Sequence, residues 1–412
     1  MLSQPTTTYK ILRLGHHGDG IAEDSVFAAR TLPGELVTGT LEGDRLEDIR
    51  IQTPSEFRIS PGCRHYRSCG GCDLQHASEA FLADWKQKFV ASSLSERGIV
   101  PEFLPLMTSP PESRRRATFA ARRTKTGALA GFHTRRSDVI TPVPDCRILH
   151  PTLARFLPVA ERLAVLGSSR KTALEVSVAL SANGPDVAVR NGKPLDGRLR
   201  MDLAGAAQEF AMARLAWNGE TVVTRESPVQ MFGGIPVVPP PGAFLQATVE
   251  GQEALIAGVL RALDGTSRVA DLFSGCGTFA LPLAQTKKVH AVESDAQMLE
   301  AADIAWRNRT GLRQFTTEAR DLFRTPLTSD DLSAFDGLVI DPPRAGAAAQ
   351  TVQLANAQTP VIAYVSCNPV TFARDAEMLI AAGYRLDWVQ VVDQFRWSTH
   401  TELVSRFLRD KL

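Results

Sequence analysis

Apolar and polar positions alternate in short runs over residues 8–60. Tyr9-Lys-Ile-Leu, Ser25-Val-Phe and Glu35-Leu-Val-Thr-Gly-Thr-Leu are β-type stretches separated by Gly-Asp-Gly and Pro-Gly turns. Strands at that spacing predict a small barrel or sandwich. The next run has a helical period. Ser78 stands before Glu79 to Leu94, and Phe81, Leu82, Trp85, Phe89 and Leu94 keep roughly to one face, which predicts a capped helix buried on that face. Residues 151–240 read as a helix from Pro151 to Leu166, strands from Thr172 to Leu180 and Asp186 to Arg190 around an Asn183-Gly184 turn, then further helical and β runs. Pro236-Val-Val-Pro-Pro-Pro-Gly242 is linker-like punctuation, and a domain boundary is placed there.

Past residue 240 strands alternate with helices. Arg268-Val-Ala-Asp-Leu-Phe-Ser-Gly-Cys-Gly-Thr-Phe is a strand, a glycine-rich turn and a helix start, and Val289-His-Ala-Val-Glu-Ser-Asp is a second strand ending in acid. Phe335-Asp-Gly-Leu-Val-Ile-Asp-Pro-Pro-Arg344, Ala363-Tyr-Val-Ser-Cys-Asn-Pro369, Trp388 to Val392 and Glu402 to Leu408 follow. This is the pattern of an α/β doubly wound, Rossmann-like sheet. The predicted division is a β-barrel in 1–60, a central α+β domain in 61–240 and the doubly wound domain in 241–412.

Composition is that of an ordinary globular protein, and 412 residues suit two or three domains. The start, Met1-Leu-Ser-Gln-Pro-Thr-Thr-Thr, lacks a basic, apolar leader, and no run is long enough to cross a bilayer, so the expectation is a cytoplasmic protein with no membrane partner. The formal charge is only +1, so affinity for nucleic acid must come from a local patch. Such a patch is visible. From Arg114 to Arg136 there is no acidic residue, which points to a phosphate-binding surface, with Phe119, Phe132 and His133 available to stack on unpaired bases.

Three of the six cysteines crowd into Cys63-Arg-His-Tyr-Arg-Ser-Cys69-Gly-Gly-Cys72. In a reducing compartment that spacing argues for a metal or cluster site over disulfides, and glycines permit the turns that aim sulfurs inward. Cys146 is the candidate fourth ligand, because the other two cysteines fall in the C-terminal domain. All-sulfur ligation suits an iron–sulfur cluster or zinc, and ligand type does not separate them. In the doubly wound region, Asp271-x-x-x-Gly275-x-Gly277 lets backbone approach a ligand, and Glu293 suits ribose hydroxyls. The third glycine of a dinucleotide site is missing, so a ligand with ribose but no phosphate, such as S-adenosylmethionine, fits better. Cys367 ends a buried strand, where open α/β sheets place chemistry; a cysteine there is either a nucleophile or a small packed residue.

Asp271-Leu-Phe-Ser-Gly-Cys-Gly, Asp341-Pro-Pro-Arg-Ala-Gly, Ser366-Cys-Asn-Pro and Thr399-His-Thr-Glu402 together resemble the bacterial RNA uridine-5-methyltransferases, over nearly the whole chain. The resemblance implies an RNA-binding TRAM barrel in 8–60, with Leu32-Pro-Gly-Glu35 and Pro54-Ser55 as landmarks. It implies a four-cysteine iron–sulfur site (4Fe-4S) at Cys63, Cys69, Cys72 and Cys146. Gln246, Phe273, Glu293 and Asp341 match the family's S-adenosylmethionine contacts. Cys367 would be the nucleophile, and Glu402 the base that removes a proton from carbon 5. Members that carry barrel and cluster commonly act on 23S ribosomal RNA, which is the expected partner, with no obligate protein partner evident. The alternatives are a transfer-RNA uridine-5-methyltransferase, an amino-group methyltransferase that orients its acceptor with Asp341-Pro-Pro, and a non-catalytic RNA-binding module. Thr248 and Thr278 stand where the family usually has asparagine, and Phe395-Arg-Trp-Ser398 where it has Phe-Pro-His-Thr; these changes are expected at the cofactor pocket rim and the approach to the base.

Overall fold

The computed structural model describes residues 7–135 and 137–409; Arg136, the last residue of the basic stretch, lies outside them. Strands Thr8–Leu14, Gly20–Ala22, Phe27–Ala28, Leu36–Glu42 and Arg45–Thr53 close into a barrel around Ile11, Val37 and Leu46. Closure removes the free edges that so short a sheet would otherwise expose. The fully buried Glu35 ties the barrel to the chain that leaves it. Its carboxylate accepts the N–H of Leu32 and Ser55 and pairs with Arg58, and these contacts hold its pKa below the usual range although burial alone pushes it up.

The central segment forms a seven-stranded sheet, in the order Glu220–Thr224, Arg214–Trp217, Gly184–Arg190, Leu174–Ser181, Arg116–Arg123, Ala128–His133 and Ile140–Thr141. Helices Leu157–Gly167 and Gly197–Glu209 bury their apolar faces in its core with Val176, Val187 and Trp217. Part of the basic stretch is absorbed here. Phe119 is fully buried and stacks on Phe132 and Phe156, so it is core and is not available to bases. The cause is strand alternation: in Arg116–Arg123 one set of side chains must enter the core, and the aromatic ring gains most by doing so.

The C-terminal sheet has eight strands: Phe315–Ala319, Lys288–Glu293, Arg268–Leu272, Gly337–Ile340, Val361–Ser366, Glu402–Arg409, Tyr384–Asp393 and Glu102–Thr108. The first five are parallel; Glu402–Arg409 then enters antiparallel beside Val361–Ser366. Residues before 241 complete this unit. Glu102–Thr108 is its outer strand, and the ribbon Gln230–Phe232 with Ile235–Val237 packs into its core.

Helix Glu79–Ser95 starts where expected, with Ser78 Oγ accepting the Phe81 N–H. It is buried on two sides and not on one. Leu82, Lys86, Val90 and Leu94 are buried, whereas Phe81, Trp85 and Phe89 are half-buried, with Phe81 and Phe89 meeting Phe57 and His16 of the barrel segment. The sequence hides this because a lysine occupies the second face. Lys86 is fully buried and its Nζ pairs with Asp393 at 2.5 Å and donates to the Phe395 carbonyl at 3.1 Å. Burial pushes its pKa down, against the pull of Asp393. Among the described residues no helix is long and apolar enough to cross a membrane.

Candidate active site and cysteine loop

Register explains how distant motifs meet. Leu272 pairs with both Val292 and Ile340, so Phe273, Glu293 and Asp341 emerge side by side from the carboxyl ends of three parallel strands. Ser366 is the last strand residue paired with Leu403, so one step further Cys367 stands opposite Glu402. The antiparallel entry of the last strand thus brings the start of one strand to the end of its neighbour. Gln246 arrives from the loop before helix Val249–Ala262. These six residues, Gln246, Phe273, Glu293, Asp341, Cys367 and Glu402, line one cavity of about 580 Å³, whose walls include Phe244, Cys276, Phe279, Met298 and Phe323.

The glycine-rich turn is built for close approach. Phe273 itself has φ 63°, a left-handed conformation that is strained for an aromatic residue and is kept where the surroundings enforce it. Gly277 has φ 85°, and a Cβ there would press on Leu281 and Ala302 at 3.0–3.2 Å. Glu293 closes the turn, accepting the N–H of Gly275 on one oxygen and those of Ser294 and Asp295 on the other. Cys276, a packed small residue, is buried here.

Acidic groups dominate the electrostatics. Asp271 is fully buried beneath the cavity and neither oxygen makes a hydrogen bond of normal geometry. Burial, then the charges of Asp341 and Glu293, raise its pKa well above the usual range, and the nearby Ala280 amide only partly offsets them. Burial likewise raises Asp341 to about 7, and burial with the charge of Asp341 raises Glu402 to about 8. The Cys367 thiol is pushed up to about 12, chiefly by burial and then by Glu402 and Asp341, while Arg344 acts the other way. So many carboxyls around an apolar cavity are a fitting place for a cationic ligand that carries ribose and an aromatic base: the sulfonium of S-adenosylmethionine suits the carboxyls, and the rings suit adenine.

Several contributors were not legible in the motifs. Arg116 of the central sheet lies 4.6 Å over the Phe244 ring and close enough to Glu402 to lower its pKa. Arg344 donates to the ring of His400, whose pKa is lowered to about 4 by burial and then by Arg344, so this histidine is neutral near pH 7. Arg115, by contrast, is buried and donates to Gln246 O, Gln230 Oε1 and Gln252 Oε1, so it joins the central and C-terminal parts and is not a phosphate anchor. Arg135 is spent on Asp19 and Asp73. Among the described residues, the exposed basic side chains of the stretch are Arg123, Lys125 and His133, with Arg114 and Arg122 half-buried.

The family departures divide. Thr278 lines the cavity, as expected. Thr248 is buried instead, capping helix Val249–Ala262 through the Gly251 N–H and bonding Ser109. Arg396 and Trp397 also turn away from the cavity. Arg396 pairs with Glu79 and donates to Ser109 O. Trp397, at φ 58°, packs against a cluster of Leu14, Leu32, Leu74, Ala77 and Leu82, and its carbonyl accepts the N–H groups of Asp73 and Leu74, the two residues after Cys72. The loop that precedes Glu402 is thereby pinned to the cysteine loop.

Cys63, Cys69 and Cys72 of that loop and Cys146 of a later segment come together closely enough that their charges act on one another. Burial, the largest cause in each case, raises the thiols of Cys69, Cys72 and Cys146. Gly71 N–H and Gln75 Nε2 donate to the sulfurs of Cys69 and Cys72. Gly70 allows the approach to the hairpin: a Cβ there would stand 2.8 Å from the His133 carbonyl. Asp145, beside Cys146, pairs with Arg64 and His65, beside Cys63. Among the described residues no three His, Cys, Asp or Glu side chains are placed to hold a single metal ion.

Comparison with known proteins agrees with this architecture. A family model described as tRNA (Uracil-5-)-methyltransferase matches residues 240–409. An RNA methyltransferase of Mesorhizobium japonicum is 42% identical over 400 residues, 96% of this chain and 97% of that one. The 23S rRNA (uracil(1939)-C(5))-methyltransferase RlmD of Vibrio parahaemolyticus is 31% identical, covering 97% and 95% of the two chains. The crystal structure of Pyrococcus abyssi tRNA (uracil-54, C5)-methyltransferase in complex with S-adenosyl-L-homocysteine shares the fold, with a TM-score of 0.77 at 22% identity over 97% of this chain and 99% of that one. With its sheet, cavity and near full-length relatives, the chain belongs to the RNA uracil-5-methyltransferase family.

Proposed function

We propose that this enzyme methylates carbon 5 of a uridine in 23S ribosomal RNA, with Cys367 as nucleophile and Glu402 as base. The observation that carries the assignment is the register that sets Cys367 opposite Glu402 at the rim of the cavity lined by Gln246, Phe273, Glu293 and Asp341. Those four residues would hold S-adenosylmethionine, which supplies an electrophilic methyl group when bound. Carbon 5 of uracil is a poor nucleophile on its own. The Cys367 thiolate therefore adds to carbon 6, and the electron pair of the carbon 5–carbon 6 double bond becomes an enolate whose carbon 5 takes the methyl. Glu402 then removes the proton left on carbon 5, the double bond re-forms, and the carbon 6–sulfur bond breaks to release the thiolate. Arg344, which favours the Cys367 thiolate, is the cation for the first half. Arg116, which favours the Glu402 carboxylate, serves the second.

Nucleoside analysis of RNA incubated with enzyme and S-adenosylmethionine is expected to show 5-methyluridine. An N-methylated purine would overturn the chemistry in favour of an Asp341-Pro-Pro amino-group enzyme, and no product would leave an RNA-binding module. Barrel, cysteine loop and the near full-length RlmD relative favour ribosomal RNA, whereas the fold shared with a transfer-RNA enzyme supports the second reading. Comparing 23S and transfer RNA from wild-type and deletion cells, uridine by uridine, separates them.

The same proposal gives Cys63, Cys69, Cys72 and Cys146 a 4Fe-4S cluster. Four half-buried cysteines, with Gly71 N–H and Gln75 Nε2 donating to the sulfurs of Cys69 and Cys72, suit one. Anaerobically purified protein is expected to be brown and to contain iron and sulfide; a colourless, zinc-loaded preparation would refute the assignment. Cys146→Ser is expected to lower stability as well as colour, because the ligands tie segments more than seventy residues apart.

A further inference from the structure

Gln394 lies between the two residues assigned to opposite ends of the reaction. It is 2% exposed, at the end of strand Tyr384–Asp393. Its Oε1 accepts the Ala247 N–H at 2.7 Å, and its Nε2 donates to Gln246 Oε1 at 2.6 Å and to Glu402 Oε2 at 3.0 Å. The Ala247 N–H fixes the orientation of this amide, since a flipped amide would set donor against donor in a buried place. Two consequences follow from counting donors. Gln246 receives at its oxygen, so its amide nitrogen is the end left for the cavity. Glu402 receives at Oε2, so any proton it carries sits on Oε1.

Packing keeps the amide in place. A Cβ on Gly251 would stand 2.6 Å from the Gln394 Cβ, so helix Val249–Ala262 comes this close only because residue 251 has no side chain. On the other side Asp393 is held by Lys86 and accepts the Phe395 N–H at 3.1 Å. The charged and titratable groups around Glu402 are Asp341 from the end of strand Gly337–Ile340, two strands away in the sheet, Arg116 from the central sheet, Arg344 from the loop after Asp341 and Cys367 across the register. Among the described residues, Gln394 is the direct hydrogen-bond partner of its carboxyl.

We infer that Gln394 is a positioning residue that decides which atoms of Gln246 and Glu402 face the cavity, joining the cofactor-binding end of the site to the proton-removing end. This rests on the roles proposed above for those two residues. Gln394→Met keeps size and removes all three hydrogen bonds, and Gln394→Glu keeps the bond from Ala247 but, once ionised, donates to neither neighbour. Both variants are expected to raise the KM for S-adenosylmethionine by about two- to tenfold. Both should also move the pH limb of product release upward, by about one to two pH units, because the lost hydrogen bond favours the Glu402 carboxylate. A merely structural residue would lower the rate equally at every pH. Single-turnover release measured from pH 6 to 10, beside Glu402→Gln, separates the failures. If Glu402→Gln stalls but the limb stays put in both Gln394 variants, the inference about Gln394 is wrong. If Glu402→Gln releases product like wild type, the assignment of Glu402 fails first. Should Gln394→Met not fold, Gln394→Glu carries the same reading.

Discussion

Cys367→Ala is expected to make no 5-methyluridine and no covalent RNA adduct, a loss on the order of a millionfold, the scale seen when a required nucleophile is removed. The expectation follows from the order of events: without sulfur at carbon 6 there is no enolate at carbon 5 to be methylated. RNA with 5-fluorouridine at the target site makes the step visible. Fluorine cannot leave as a cation, so wild-type enzyme should stay joined to this RNA after methyl transfer and migrate slowly on a denaturing gel. The alanine variant should show no shifted band. Because burial and neighbouring acids push the free thiol up to about 12, Cys367 should also react slowly with alkylating reagents near pH 7 in the free enzyme. Product formation by Cys367→Ala would remove the whole mechanism, and with it the reading of Ser366-Cys-Asn-Pro as a catalytic motif.

Glu402→Gln is expected to slow product release by about a hundred- to ten-thousandfold while leaving sulfur addition and methyl transfer intact. It should therefore accumulate an adduct on ordinary uridine RNA, the opposite of Cys367→Ala on the same gel. The pH dependence carries a second signature. Only the carboxylate form can take the proton, and burial together with Asp341 raises Glu402 to about 8. Wild-type release should then speed up as pH rises through about 8 and level off above it, whereas release from Glu402→Gln should lack that limb. Asp341 is the rival base, since its charge also reaches Cys367 and its own pKa is raised by burial to about 7. If Asp341→Asn stalls as an adduct and Glu402→Gln does not, the base is Asp341 and Glu402 is only the first residue of its strand.

The sequence by itself determined those parts whose physics is local. Glycine spacing, strand-ending acids and a cysteine at the close of an apolar run depend on turns and periodicities of a few residues. That is why Glu293 and Cys367 could be named from the residues themselves, whereas Phe273 and Asp341 were named through the family resemblance; all four line the cavity. Ser78 as a helix cap and the Asn183-Gly184 turn were legible for the same reason. What lay beyond the sequence was decided by packing between segments far apart. Arg115 and Phe119 belong to a stretch that looks uniformly basic, yet strand alternation and contact with residues 230–252 bury both. Lys86 sits on an otherwise apolar helix face and is tolerable there only because Asp393, 307 residues on, supplies the opposite charge. Gln394 carries no motif; its importance comes from standing at once beside Ala247, Gln246 and Glu402. Trp397 looked like a change near the base and is instead the link between the barrel, the cysteine loop and the loop before Glu402. A sequence reports what each residue brings to its neighbours in the chain. Which carboxyls share a cavity, which arginines stay in water and which amide points at which oxygen are set only when the sheet closes and distant groups must satisfy one another.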